Sequence, residues 1–146
     1  MKSARNMEIK NAIKQQWDKE WKKGKESARQ LQRIHKRPHL EQGDKLYQGI
    51  KDRRHFAWIA RLRTGHCVLN KYLHRLNIID DPNCECEEGH EMVEHYLLKC
   101  ALYEEKRERM RKKVGIEGMR VSKLLGDLKL IQHTIQFIID IKRFDF

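Results

Sequence analysis

A chain of 146 residues is the usual size of one domain, and with 36% charged against 39% hydrophobic residues its core must be lean. Eight glycines and two prolines are too few for a many-turned β architecture, and no run approaches the roughly eighteen apolar residues of a membrane span. Helices are therefore expected and a membrane is not. The net charge of +11 suits a binder of nucleic acid or of an acidic surface, though a solvated lysine-rich surface without a partner would look the same.

That charge is uneven. Residues 1–37 carry a net +8 and residues 38–76 a net +5, whereas 77–100 hold one lysine against seven acids, a net −6, and the remainder adds +4. An acidic island thus interrupts a basic chain, and it coincides with a cysteine cluster. The opening stretch MKSARNMEIK lacks the apolar run of a secretory signal. The four cysteines are therefore expected as thiols or metal ligands in an intracellular, nuclear protein, not as disulfides.

Ile9, Ile13, Trp17 and Trp21 follow at steps of four along one stripe of a helix, which Gly24 breaks. Ser27 to Gln30 reads as a capping box restarting it, with Ala28, Leu31 and Ile34 as the new apolar face. Residues 36–44 form a loop. Asp44 is placed to cap a helix running to Thr64, with Gly65 as its left-handed terminator. Leu69, Tyr72, Leu73 and Leu76, at i, i+3, i+4 and i+7, make an amphipathic helix that Asn77 can end, and residues 78–90 are turn-rich. Val93, Tyr96, Leu97 and Cys100 share the face of a further helix, expected to run charged and exposed to Val114 before Gly115. A last helix covers residues 128–143, with Ile131, Ile135, Ile138, Ile139 and Ile141. The expected fold is mainly α, with about six helices and no substantial sheet.

From Cys84 the sequence reads CECEEGHEMVEHYLLKC. Cys84, Cys86, His95 and Cys100 give C-x-C-x8-H-x4-C, three thiols and an imidazole, the donors of a closed tetrahedral zinc site. The thiolates must lose protons, and Zn2+ supplies the compensating charge. The single residue between Cys84 and Cys86 demands a sharp turn. His95 and Cys100 lie five apart, about 140° around an ideal helix, so one of them must sit at a distorted turn. His90 is a geometric rival to His95, and four unrelated residues would be the bland alternative. Cys67 has no near partner and reads as a buried thiol. The chain is expected to divide into a semi-detached basic helical arm, 1–36, and a helical zinc-binding module, 37–146.

The stretch RLRTGH at 61–66, Leu69-Asn70, Tyr72-Leu73, Cys84 with Cys86, and VEHYLLKC at 93–100 together resemble the zinc-binding tail that follows the ribonuclease H domain in many non-LTR retrotransposon reverse transcriptases. That family's pattern runs close to R-L-R-x-G-H, an apolar helix, C-x-C, then T-x-x-H-x-L-x-x-C. WDKEW before Gly24, Leu124-Leu125-Gly126 and Arg143-Phe144 extend the resemblance over nearly the whole chain. It implies that His95, not His90, is the ligand. It also implies a module that helps the rest of a reverse transcriptase hold target DNA or template RNA during target-primed synthesis. Met92 departs from the pattern, standing where the family usually has a threonine suited to N-capping.

Arg53, Arg54, Arg61, Arg63 and His66 surround Trp58 on or just after the helix that ends at Thr64. Guanidinium groups bind phosphate bidentately and an aromatic ring can stack on an unpaired base, so these six residues are the candidate contacts to DNA or RNA. The competing reading makes Arg61 and Arg63 ties to helix carbonyls and Trp58 a core residue. Lys10, Lys14, Lys19, Lys22, Lys23, Lys25, Arg29, Arg33 and Arg37 form a second basic tract, or an ordinary solvated face. No polymerase, ribonuclease H or endonuclease motif occurs, and Asp80-Asp81 sits in a turn before Pro82 without the apolar strand that a polymerase site needs. Four protein ligands leave a metal no open position for water, so no catalysis is expected of this chain alone. The alternative function is a detached or domesticated retroelement fragment that works by protein–protein contact.

Overall fold

The computed structural model describes residues 2–24, 26–36 and 45–144. Among these residues the chain is helical and holds no strand, only an isolated antiparallel bridge between Asn83 and His90. In chain order come α1 (Lys2–Lys22), α2 (Glu26–Ile34), a helical turn at 45–48, α3 (Arg53–Thr64) and α4 (Asn70–Arg75). A π-helical turn (His95–Lys99) and a 3-10 turn (Ala101–Tyr103) lead into α5 (Glu104–Val114), followed by a 3-10 turn (Ile116–Gly118), α6 (Val121–Leu124) and α7 (Ile131–Ile141).

The apolar stripe of α1 is only lightly covered: Met7, Ile9, Ile13 and Trp17 are exposed, and Trp21 is half-buried. The chain reverses at Gly24, where a Cβ would stand 2.8 Å from Gln32 Nε2 and 2.9 Å from Ala28 Cβ, so glycine permits the close approach of α2. There the Gln32 amide donates to the Trp21 carbonyl. Because α2 starts at Glu26, Ser27 lies within the helix. Helix α2 packs against α3 and α6, and its Ile34 enters the core.

The helix ending at Thr64 is shorter than its sequence suggested. Asp44 lies outside the described residues, and the observed cap is Asp52, extended at φ −84° and ψ 125°, whose Oδ1 accepts the Arg54 N–H at 2.7 Å. That backbone N–H, aided by the Arg54 side chain, holds the Asp52 carboxyl below its usual range. Gly65 closes α3 at φ 75°, as its position predicted. Helix α4 ends at Asn77, left-handed at φ 56°, with Ile78 N donating to Leu73 O at 3.0 Å and Asn77 N to His74 O at 2.9 Å. This is the Schellman arrangement, which satisfies the last carbonyls of the helix. Its apolar face is only half used, since Leu69 is buried but Leu76 is exposed.

The expected continuous helix from Val93 to Val114 is broken at Cys100, whose ψ of 122° leaves the helical region. Beyond the break, α5 packs along α7, burying Met110 and Phe137. Tyr96, fully buried, sets its ring against those of Phe137, Phe144 and Tyr103, with centroids 5.7, 5.3 and 5.6 Å away. Each such pair is worth about 0.5–1.5 kcal/mol beyond area burial, so the π turn is anchored to the core through its second residue.

Candidate metal centre

The centre is assembled from a tight loop and the first turns of a helix. Cys84 N donates to Gly89 O at 2.8 Å, Glu87 N to Cys84 O at 2.9 Å and Glu91 N to Pro82 O at 3.0 Å, folding 82–91 into a compact knuckle. Glu87 at φ 62° and Gly89 at φ 140° supply the left-handed residues that reverse the chain within the short gap after Cys86. His90 is held outward on this knuckle, its exposed ring donating from Nδ1 to Asn83 Oδ1 at 3.0 Å. Met92 N donates to His90 O, and the Met92 carbonyl accepts from Tyr96 N at 2.8 Å. The helix therefore starts at Met92 without a side-chain cap.

The π turn then resolves the five-residue spacing. Cys100 N donates to His95 O at 2.8 Å, an i to i+5 bond, so the widened turn stacks two residues that an α-helix would set far apart in angle. The ligand atoms of Cys84, Cys86, His95 and Cys100 consequently lie within 4.8 Å of one another, and this cluster could hold a metal ion. Cys84 Sγ and Cys100 Sγ are 3.6 Å apart, and Cys86 Sγ is 3.2 Å from His95 Nε2. The sulfurs are too far apart for a disulfide, whose S–S bond is about 2.05 Å.

Burial raises the Cys84 thiol to about 12 and pushes the Cys100 thiol up as well. For Cys86 the opposing effect of burial is outweighed by the Glu88 backbone N–H and the neighbouring thiols, which bring it down. Burial first, then the positive charge of Arg107, lowers the His95 imidazole, favouring the neutral ring that can donate a lone pair to a metal. Arg107 is the feature that sequence reading missed. Read there as part of an exposed helix, it is fully buried, with Nε donating to Leu97 O at 3.2 Å, Nη2 to Cys100 O at 2.6 Å and Nη1 to Glu104.

A second lock ties the knuckle to α4 and to the last residues of the fold. Glu91, buried within the acidic island, accepts from Arg143 Nε at 2.9 Å and Nη2 at 2.8 Å, and from the Asn70 backbone N–H at 2.8 Å. It thus satisfies an otherwise orphaned donor at the N-terminus of α4. Asn70 Nδ2 reaches Asn83 O at 2.6 Å, closing the loop back onto the knuckle. Nothing in the sequence separates Glu91 from its exposed neighbours Glu87 and Glu88.

The expected nucleic-acid residues divide in two. Arg53, Arg54, Arg61 and His66 are exposed; Arg54 and Arg61, seven residues apart, share one stripe of α3. Trp58 and Arg63 are instead buried, which corrects their expected place on that surface. Trp58 sits at the core edge beside the His55 ring. Arg63 donates to the Leu125 carbonyl and, at 2.6 Å, to His35 Nε2, so it braces α6 against α2 and α3. In the second basic tract, Lys10, Lys14, Lys19, Lys22, Lys23, Arg29 and Arg33 belong to the described residues, whereas Lys25 and Arg37 lie outside them. Among the described residues no helix is long and apolar enough to cross a membrane.

Against known proteins, the chain is 36% identical over 47 residues to the "Retrovirus-related Pol polyprotein from type-1 retrotransposable element R1 2" of Nasonia vitripennis. The match covers 32% of this chain and 12% of that polyprotein. No family model matches the chain. No solved structure matches it significantly.

Proposed function

We propose that this chain is a zinc-stapled nucleic-acid-binding module of the kind carried at the C-terminal end of non-LTR retrotransposon reverse transcriptases, where it helps hold target DNA or template RNA. The observation that carries the reading is the convergence of Cys84, Cys86, His95 and Cys100 within 4.8 Å. In a tetrahedron with Zn–S about 2.3 Å and Zn–N about 2.0–2.1 Å, sulfur–sulfur edges are about 3.8 Å and sulfur–nitrogen edges about 3.6 Å. The observed 3.6 and 3.2 Å separations fit an ion of that size. The partial similarity to a retrotransposon polyprotein supports the context. Zinc bound to three thiolates and an imidazole supplies cross-linking, not a reactive water, because all four positions are taken.

The charge pattern argues that the knuckle itself does not grip phosphate. Asp80, Asp81, Glu85, Glu87 and Glu88 are all exposed around it. The phosphate-facing work falls to exposed cations elsewhere, Arg53, Arg54 and Arg61 on α3 and the lysines of α1, with His66 beside them. Zinc fastens the 82–91 knuckle to the π turn, and the Glu91 lock carries that order to α4. The exposed Ile9, Ile13 and Trp17 of α1 favour the second reading, a module that docks another protein.

Polarisation binding of the purified chain to single-stranded, duplex and hybrid probes across a salt series separates the two. Phosphate binding should weaken linearly in log salt, with a slope of about −0.9 per contact on duplex DNA, whereas an apolar docking surface barely responds. Chelation should abolish binding together with far-UV circular dichroism. Lost binding with helicity and thermal stability intact would make the knuckle a direct reader and overturn the staple.

A further inference from the structure

We propose that Arg107 is the counter-charge of the Cys84–Cys86–His95–Cys100 site and sets how tightly that site holds its ion. The proposal rests on the zinc reading above and assigns a positioning residue to it.

A guanidinium cannot be deprotonated in a protein, so a full positive charge lies inside this fold with no exposed surface. It lies against the ligand-bearing turn: Nη2 donates to the carbonyl of Cys100 itself at 2.6 Å, and Nε to Leu97 O at 3.2 Å. Cys100 O also accepts the Tyr103 backbone N–H at 3.2 Å, and a neutral donor would serve at either carbonyl equally well. The chain uses an ion instead. Its carboxylate partner, Glu104, is 58% exposed, so water spreads part of that negative charge and the buried positive charge is only partly answered. Other charges facing His95 are already engaged. Lys99 pairs with Glu94 at 2.8 Å on the surface, and Glu91 with Arg143, while Glu88 is exposed to water.

A divalent ion with three thiolates and a neutral imidazole carries a net −1. That deficit, in a site whose Cys84 and Cys100 are buried, is the charge that Arg107 complements. The residue thus does for the bound site what no exposed carboxylate or lysine can, because only a buried charge escapes solvent screening.

Zinc affinity of the full chain, read by competition with a chromophoric chelator, tests this, with the thiolate-to-cobalt absorption of the Co2+ form reporting an unchanged ligand set. Arg107→Met should weaken zinc by about 10- to 100-fold while the cobalt spectrum stays tetrahedral. Arg107→Lys should stay within about fivefold of wild type, since the charge is kept. Glu104→Gln, an exposed change that preserves the hydrogen bond to Arg107, should tighten zinc by about two- to threefold by releasing the screened charge toward the site. Unchanged affinity in Arg107→Met, or equal losses in the Met and Lys variants, would make the residue a carbonyl tether and overturn the proposal. Should Arg107→Met fail to fold, Glu104→Gln decides alone: affinity that falls or does not move overturns it. A wild-type chain that takes up no zinc would overturn the function proposed above, whereas wild-type binding with a contrary Glu104→Gln result would overturn only this inference.

Discussion

Replacing Arg143 by Met removes one side of the lock that joins the knuckle, α4 and the end of the fold. Glu91 would lose two charge-assisted hydrogen bonds, at 2.9 and 2.8 Å, while keeping the Asn70 backbone N–H at 2.8 Å. Stripping one partner from a buried ion pair costs about 3–5 kcal/mol because the other charge stays behind. Glu91 is only 4% exposed at its side chain, but Arg143 is 27% exposed, so water can enter the vacated position and the cost falls to or below the lower end of that range. The expected loss is about 2–3 kcal/mol, which for a domain of this size lowers Tm by roughly 5–10 °C. Thermal melts of metal-loaded protein at pH 7 measure it. Adding Glu91→Gln removes the stranded charge while leaving an oxygen for Asn70 N, so the double variant should regain at least about half of the loss. A single-variant shift below about 2 °C, or a double variant no better than the single, would refute the assignment of Glu91 and Arg143 as a load shared between knuckle and helix.

His95→Ala should lose the metal and His90→Ala should retain it, measured by elemental analysis of purified protein; the reverse pattern would overturn the ligand set. Arg54→Ala with Arg61→Ala should weaken binding to all sequences alike and lower the salt slope by about two, one for each phosphate contact. An unmoved slope in a folded double variant would take this α3 stripe out of the interface. Cys67 should resist alkylation at pH 8 in metal-loaded protein, because burial pushes its thiol to about 12 and leaves little thiolate to react. Mass-spectrometric labelling at Cys67 without denaturant would show that this part of the core opens.

Helix class and most apolar faces were legible because they rest on local periodicity. Val93, Tyr96 and Leu97 recur at helical spacing and are buried together, and Ile131, Ile135 and Ile138 do the same on α7. Terminators were legible where backbone conformation needs a special residue, as at Gly65 and Asn77. Starts were less so: Asp52 lies only eight residues past Asp44, and both carry the same capping chemistry. Choosing between them depends on the Leu46 and Ile50 packing that separates the turn at 45–48 from α3, a tertiary fact. Arg63 and Arg107 show the same limit for charge. A guanidinium at a helical position is read as solvated unless something reveals the carbonyls it will meet, and Leu125 O and Cys100 O come within reach only after the chain has bent.

The candidate metal site was legible in its donor types and in the resemblance, while its spacing broke the rule that predicts everything around it. His95 and Cys100 share no face of an α-helix, yet the residues between and beside them, Tyr96 and Leu97, are fully buried and cannot rotate away to help. Only the backbone can give. Widening one turn brings Cys100 N to His95 O at 2.8 Å while Tyr96 keeps its place among Phe137 and Phe144. The helix breaks at Cys100, and the buried Arg107 donates to the Leu97 and Cys100 carbonyls at the break. Spacing, π turn and buried arginine are therefore one structural solution: the five-residue gap demands the wide turn, and the Leu97 and Cys100 carbonyls of that turn hold a positive charge beside a site built from three thiols.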